Sequence, residues 1–236
     1  MNETVAGKHV ELFVAPQPGA PLVVLNTVQG EGQAVWQAAA SIAEAPFSLA
    51  AVSGIDWNHD MSPWPIPALG PEDVPCTGGA DAYLDVLTGQ ILPHALERLP
   101  AAPAYLGLAG YSLAGLFAVY ASYRTDVFSR LASASGSFWF PGFLEYAGAH
   151  QPVRLPERVY FSLGDQEAST AVEPVRAVEA NTRALYRAYA GMGVQTVFEL
   201  NPGDHFTGGI QRTARAIAWM VGEGERRPDR PLTLEP

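Results

Sequence analysis

One short segment constrains this chain more than any other: Ala104-Tyr-Leu-Gly-Leu-Ala-Gly110-Tyr111-Ser112-Leu113-Ala114-Gly115. An apolar run of strand character leads directly into a serine. The residues from Leu113 to Tyr123, apolar on almost every side, then read as a helix buried in the middle of the fold. A strand that becomes a helix across one residue strains that residue's backbone and crowds its neighbours. Only small side chains fit two positions away, and Gly110 and Ala114 stand there. Such a bend lifts the Ser112 hydroxyl above the sheet edge. It also sets the Leu113 N–H at a helix N-terminus, where it can meet a developing oxyanion. A serine that merely caps the helix accounts for the hydroxyl but not for the small residues on both sides of it.

The rest of the chain alternates in the same way. Strands are expected over Val10 to Ala15, Pro21 to Val28, Phe47 to Ser53, Ala104 to Ala109, Arg130 to Ser135, Arg158 to Leu163 and Val194 to Leu200. Most are continuous apolar runs, as strands covered on both faces require. Helical spacing appears at Val35/Ala39/Ile42, Leu84/Leu87/Ile91/Ala95, Val178/Leu185/Tyr189 and Ile210/Ala214/Ile217/Val221. The repeat predicts an α/β architecture, a mostly parallel central sheet with helices on both faces. The Gln17–Ala20 turn between the first two strands predicts an antiparallel pair there. The chain's 236 residues suit a single domain without a separate cap, with Gly222–Pro236 as a charged, proline-rich surface tail.

A serine hydroxyl is a weak nucleophile until a base takes its proton, and that base needs a carboxylate to orient it. On an elbow of this kind the chain order is serine, acid, histidine. Only His150 and His205 follow Ser112. His150 sits beside no strand end, whereas His205 lies in the turn-rich Asn201-Pro-Gly-Asp-His-Phe-Thr-Gly-Gly loop between the last strand and the last helix. The acid belongs after the preceding strand, in Gly164-Asp165-Gln166-Glu167. Spacing barely separates the two; Glu167 is favoured, with Asp165 as the alternative, and Asp204, adjacent to the base, is read as structural.

The second oxyanion N–H is expected in the loop after the third expected strand, Gly54 to Pro65, with Ile55, Asp56 and Trp57 as candidates. Trp57, Trp64, Phe138 and Trp139, together with Tyr111 beside the serine, are the candidate substrate-binding side chains. Asp56, Asn58 and Asp60 resemble the start of a calcium loop. Met61 and Pro67 stand where such a loop needs glycine and glutamate, so no metal is assigned. No cofactor is needed for this chemistry.

Composition narrows the partners. Lys plus Arg is 14 against 24 for Asp plus Glu, a net charge of −10. That balance argues against nucleic acid and an anionic membrane surface. No run approaches the roughly 18 apolar residues of a membrane span, and no basic-then-apolar leader opens the sequence. The single cysteine, Cys76, has no internal partner. A cytoplasmic protein acting on a small-molecule ester is the expectation, its oligomeric state left open.

The blocks Gly110-Tyr-Ser-Leu-Ala-Gly-Leu-Phe117, Asp60-Met-Ser-Pro-Trp64, Ser135-Gly-Ser-Phe-Trp139, Gly164-Asp-Gln-Glu167 and Gly203-Asp-His-Phe206 resemble the esterase family that includes esterase D and the bacterial siderophore esterases. They occur in the family's order and span about residues 50 to 210. The resemblance implies the α/β-hydrolase fold and hydrolysis of a small or medium acyl or aryl ester. It carries serine, acid and histidine onto Ser112, Glu167 and His205. A siderophore trilactone esterase and an acyltransferase would use the same site. A non-catalytic binding protein on this architecture is the contrasting reading. Siderophore esterases tend to carry an arginine before the Asp-x-Thr/Ser-Pro block, where this chain has Trp57 and Asn58.

Overall fold

The computed structural model describes residues 1–222. The N-terminal strands β1 (Asn2–Val5) and β2 (Lys8–Phe13) form a hairpin, and β3 (Leu22–Asn26) follows. Helix α1 (Gly32–Ile42) leads to β4 (Ser48–Ser53), then the short α2 (Trp57–Asp60) and a two-stranded ribbon, β5 (Pro65–Ile66) and β6 (Cys76–Thr77). A bent helical run comprises α3 (Ala80–Val86), a π-helical turn over Leu87–Ile91 and α4 (Leu92–Leu96). Next come β7 (Leu106–Tyr111), α5 (Leu113–Ala121), β8 (Arg130–Ala134), α6 (Phe143–Ala149) and β9 (Arg158–Gly164). The short α7 (Glu173–Arg176), α8 (Val178–Gly191), β10 (Gln195–Asn201) and α9 (Gly209–Val221) complete the described chain.

Eight strands form one sheet in the order β1-β2-β4-β3-β7-β8-β9-β10. From β4 to β10 every neighbour is parallel; at one edge β2 runs antiparallel to β4, and β1 antiparallel to β2. The period-2 alternation of strand side chains divides the core. Leu22, Val24 and Leu108 face the layer of α3, α4, α5 and α8, whereas Val23, Leu25 and Ala109 face α1 and α9. All nine residues of α5 are buried, as its unbroken apolar sequence requires.

The expected mostly parallel sheet with helices on both faces is present. One pairing differs. The first two expected strands, now β2 and β3, run in opposite directions but do not touch, because β4 lies between them and bonds to both. The Gln17–Ala20 turn fixes only a reversal of direction; which strands become neighbours is decided by the longer-range crossover through α1. The surface-tail expectation falls on residues 223–236, outside the described residues. No helix among the described residues is long and apolar enough to cross a membrane.

Candidate active site

Ser112 sits between β7 and α5 with φ 59° and ψ −125°, a conformation nearly reserved for glycine. Tertiary structure holds it there. Its N–H donates to Ala134 O at 3.1 Å, and its carbonyl accepts from Gly115, Leu116 and Ser137 N–H groups. The small neighbours are obligatory. A Cβ on Gly110 would lie 2.3 Å from the Ala114 backbone, and one on Gly115 would lie 2.7 Å from Ser133 Oγ. Parallel register places Tyr111 beside Ala134, so the serine emerges at the carboxyl ends of the central strands.

At that edge the expected side chains converge. The Ser112 hydroxyl lies 3.0 Å from His205 Nε2, and His205 Nδ1 lies 2.7 Å from Glu167 Oε2. With an ionised carboxylate at Nδ1, the ring hydrogen belongs on Nδ1, leaving Nε2 free to accept from the hydroxyl. Ser137 Oγ is 3.3 Å from Ser112 Oγ. Burial pushes the Glu167 carboxyl upward, but hydrogen bonds from His205, the Gly164 N–H and Ser135 more than offset it and hold the group below its ordinary value.

Between the two carboxylates of the β9 loop, geometry separates the roles. Glu167 reaches the imidazole, while Asp165 Oδ1 accepts from the Gly203 N–H at 2.9 Å and braces the turn that carries His205. Asp204 accepts from the Phe206 N–H and the Thr207 hydroxyl, a purely local bracing role. His150 stacks on Tyr146, well away from the serine strand's edge. Cys76 is buried and free, and burial raises its thiol.

The serine opens into a cleft of about 610 Å³ lined by Leu25, Val28, Val35, Trp57, Tyr111 and Ile210, with Asn26, Thr27, Gln29, Glu31, His205, Phe206 and Thr213 around them. Trp57 and Tyr111 therefore lie where the sequence places them. The Tyr111 hydroxyl donates to His205 O at 2.8 Å. Trp64, Phe138 and Trp139 do not line this cleft. It opens on the α1/α9 side, whereas their loops fold onto the α5 side. Phe138 is fully buried against Phe143 and Phe161, and Trp139 packs on Phe140. Trp64 packs among Tyr120, Phe140, Phe143 and Tyr146 and donates to Pro141 O at 2.9 Å.

Of the three backbone donors expected in the Gly54–Pro65 loop, only that of Trp57 belongs to a residue that lines the cleft. The strand beside β7 is β3, not β4, so the loop facing the serine is Thr27–Glu31. The Asp56 N–H is taken by Asp60 Oδ2 at 3.0 Å, and Ile55 packs on the α5-side core. In the facing loop Thr27 N–H donates to Val52 O and Gln29 N–H to Glu31 Oε2. Val28 N–H has no partner among the described residues. Asp60 itself is engaged by Lys8, and the described residues contain no group of three or more His, Cys, Asp or Glu able to hold a metal ion.

Sequence reasoning passed over Arg212. It is 1% exposed, and its guanidinium contacts Glu167, Ser135, Tyr111 and the Pro202 carbonyl. It lies off the Ile210/Ala214/Ile217/Val221 stripe of the last helix, so the helical spacing gave no signal for its burial.

Comparison with known proteins agrees with this fold. A family model described as "Putative esterase" matches residues 25–205. The uncharacterized protein YbbA of Bacillus subtilis (strain 168) is 23% identical over 172 residues, covering 70% of this chain and 69% of the relative. The siderophore hydrolase EstA from Aspergillus nidulans superposes with a TM-score of 0.68 at 18% identity, over 91% of this chain and 89% of that one. An IroE-like serine hydrolase from Shewanella oneidensis gives 0.72 at 16% identity, over 90% and 75%.

Proposed function

Because the chain belongs to the "Putative esterase" family and has the α/β-hydrolase fold, we propose that it hydrolyses carboxylic esters through Ser112, His205 and Glu167. The carrying observation is the continuous hydrogen-bonded line from the strained Ser112 hydroxyl through both imidazole nitrogens to a buried carboxylate, at 3.0 and 2.7 Å.

In this reading Ser112 Oγ attacks the ester carbonyl carbon while His205 Nε2 takes its proton, and Glu167 stabilises the resulting imidazolium. The carbonyl oxygen, now negative, accepts hydrogen bonds from the Leu113 N–H at the start of α5 and the Val28 N–H across the cleft. His205 then passes its proton to the departing alkoxide oxygen, and the C–O bond breaks. A water molecule, deprotonated by His205, attacks the serine-bound carbonyl, and the released carboxylic acid leaves Ser112 protonated again.

The cleft supports a small or medium neutral acyl or aryl ester. Among the described residues no lysine or arginine lines it; Glu31, His205 and Tyr111 are its titratable side chains. A polyanionic iron chelate would find no countercharge there, so the siderophore activity named for the structural neighbours is not carried over. Buried, unpaired Cys76 is in keeping with a reducing compartment such as the cytoplasm.

The test is a fluorophosphonate probe with p-nitrophenyl acetate and butyrate, wild type beside Ser112→Ala. Wild type is expected to label and turn over both esters, and Ser112→Ala to lose labelling and at least about 10⁴ in kcat. An unlabelled, inert wild type would instead establish a binding protein on a hydrolase scaffold.

A further inference from the structure

We propose that Arg212 is a positioning residue for this hydrolysis: from α9 it ties Glu167 into place and moderates the pull that this carboxylate exerts on His205. The proposal rests on the Ser112–His205–Glu167 reading above. Arg212 is among the largest fully buried side chains in the molecule. Burial of a guanidinium costs several kcal/mol unless every donor is matched, and apolar residues of similar volume commonly replace such groups without loss of stability. The rest of α9 already packs through Ala214, Ile217, Met220 and Val221. The fold alone therefore does not call for a charge here.

Its partners all belong to the site. Nη1 donates to Glu167 Oε1 at 3.0 Å, to Ser135 Oγ at 3.0 Å and to the Tyr111 hydroxyl at 3.3 Å. Nη2 donates to Pro202 O at 3.0 Å, at the base of the loop that carries His205. Tyr111 in turn donates to the His205 carbonyl, so the arginine reaches the histidine loop from two sides. Ser135 holds a positive φ of 47° at the end of β8. Gly164 leaves the space: a Cβ there would lie 2.8 Å from Nη2. One guanidinium thus joins the ends of β7, β8 and β9 to the histidine loop.

The carboxylate is divided between a permanent cation and an imidazole that becomes one during the reaction. Oε2 faces His205, while Oε1 faces Arg212 and the Gly164 N–H. Fixing Oε1 aims Oε2, and a permanent positive charge on the far oxygen weakens the carboxylate's hold on a protonated imidazole. Without the guanidinium Oε1 loses its anchor, and Oε2 is no longer held on His205 Nδ1.

The experiment uses the full chain with p-nitrophenyl acetate. Arg212→Gln is expected to lower kcat about 10- to 100-fold, with KM changed less than about threefold. Arg212→Lys keeps the charge but not the fork, and is expected to recover part of kcat. In a Glu167→Gln background, Arg212→Gln is expected to cost less than about twofold, since its effect runs through the carboxylate. Wild-type kcat in Arg212→Gln, or full additivity with Glu167→Gln, overturns the proposal. Should Arg212→Gln fail to fold, wild-type kcat in Arg212→Lys overturns it equally. A wild type that neither labels nor turns over sinks the esterase reading itself; an active wild type with an indifferent Arg212→Gln sinks only this assignment.

Discussion

Leu113 and Val28 are proposed to share one task on opposite sides of the cleft, yet they arrive there by opposite means. Leu113 is placed by its immediate neighbours: a strand, a strained serine and a helix that begins at once, all between Leu106 and Ala121. Val28 is placed by sheet order. Its loop faces Ser112 only because β3 pairs with β7, aligning Asn26 with Gly110, and pushes β4 one position outward. The first placement rests on covalent geometry and sterics within ten or so residues. The second rests on a long-range pairing that no local pattern announces.

That contrast can be broken from either side. The largest effect is expected at the elbow. Gly110→Val drives a side chain into the Ala114 backbone, 2.3 Å from where its Cβ must sit, and should cost at least about 4 kcal/mol, read as a collapse of the urea midpoint or of soluble yield. On the loop side Val28→Pro removes only the N–H assigned to the oxyanion. It should lower kcat about 10²- to 10³-fold with the urea midpoint little changed. Wild-type kcat in that variant would return the second donor to the Gly54–Pro65 loop and erase the contrast. The smallest effect is a gain: Ser112→Gly relieves a backbone at φ 59°, ψ −125° and should raise stability by about 1 kcal/mol while abolishing turnover. A fall in stability would mean that the serine's hydrogen bonds outweigh its strain.

The same division decides how much of the molecule could be read in advance. The parallel core strands were legible because Leu22–Asn26 and Arg158–Gly164 are buried throughout and so are mostly apolar. Ser112, His205 and the pair Asp165/Glu167 were legible because each follows a strand end in a fixed order. Choosing Glu167 over Asp165 needed coordinates, since the two lie in one turn and differ only in which way the turn points them. The aromatic wall failed for a physical reason. Loop position places a tryptophan near the site, but burying large rings is strongly favourable, and Trp64 and Phe138 found the α5-side core before the cleft. Arg212 was invisible because a charged residue on an amphipathic helix is ordinarily a solvated one.

The rim of the cleft carries a last consequence. Val28 is 51% and Phe206 89% exposed, so the mouth stands open beside His205. Enzymes that hand an acyl group to a chosen alcohol or thiol do so by keeping the solvent out during the second half of the cycle. An acyl group carried on Ser112 beside so open a mouth is expected to meet bulk solvent, with partitioning toward the free acid. Transfer to an acceptor would take hold only at acceptor concentrations high enough to outcompete the surrounding liquid.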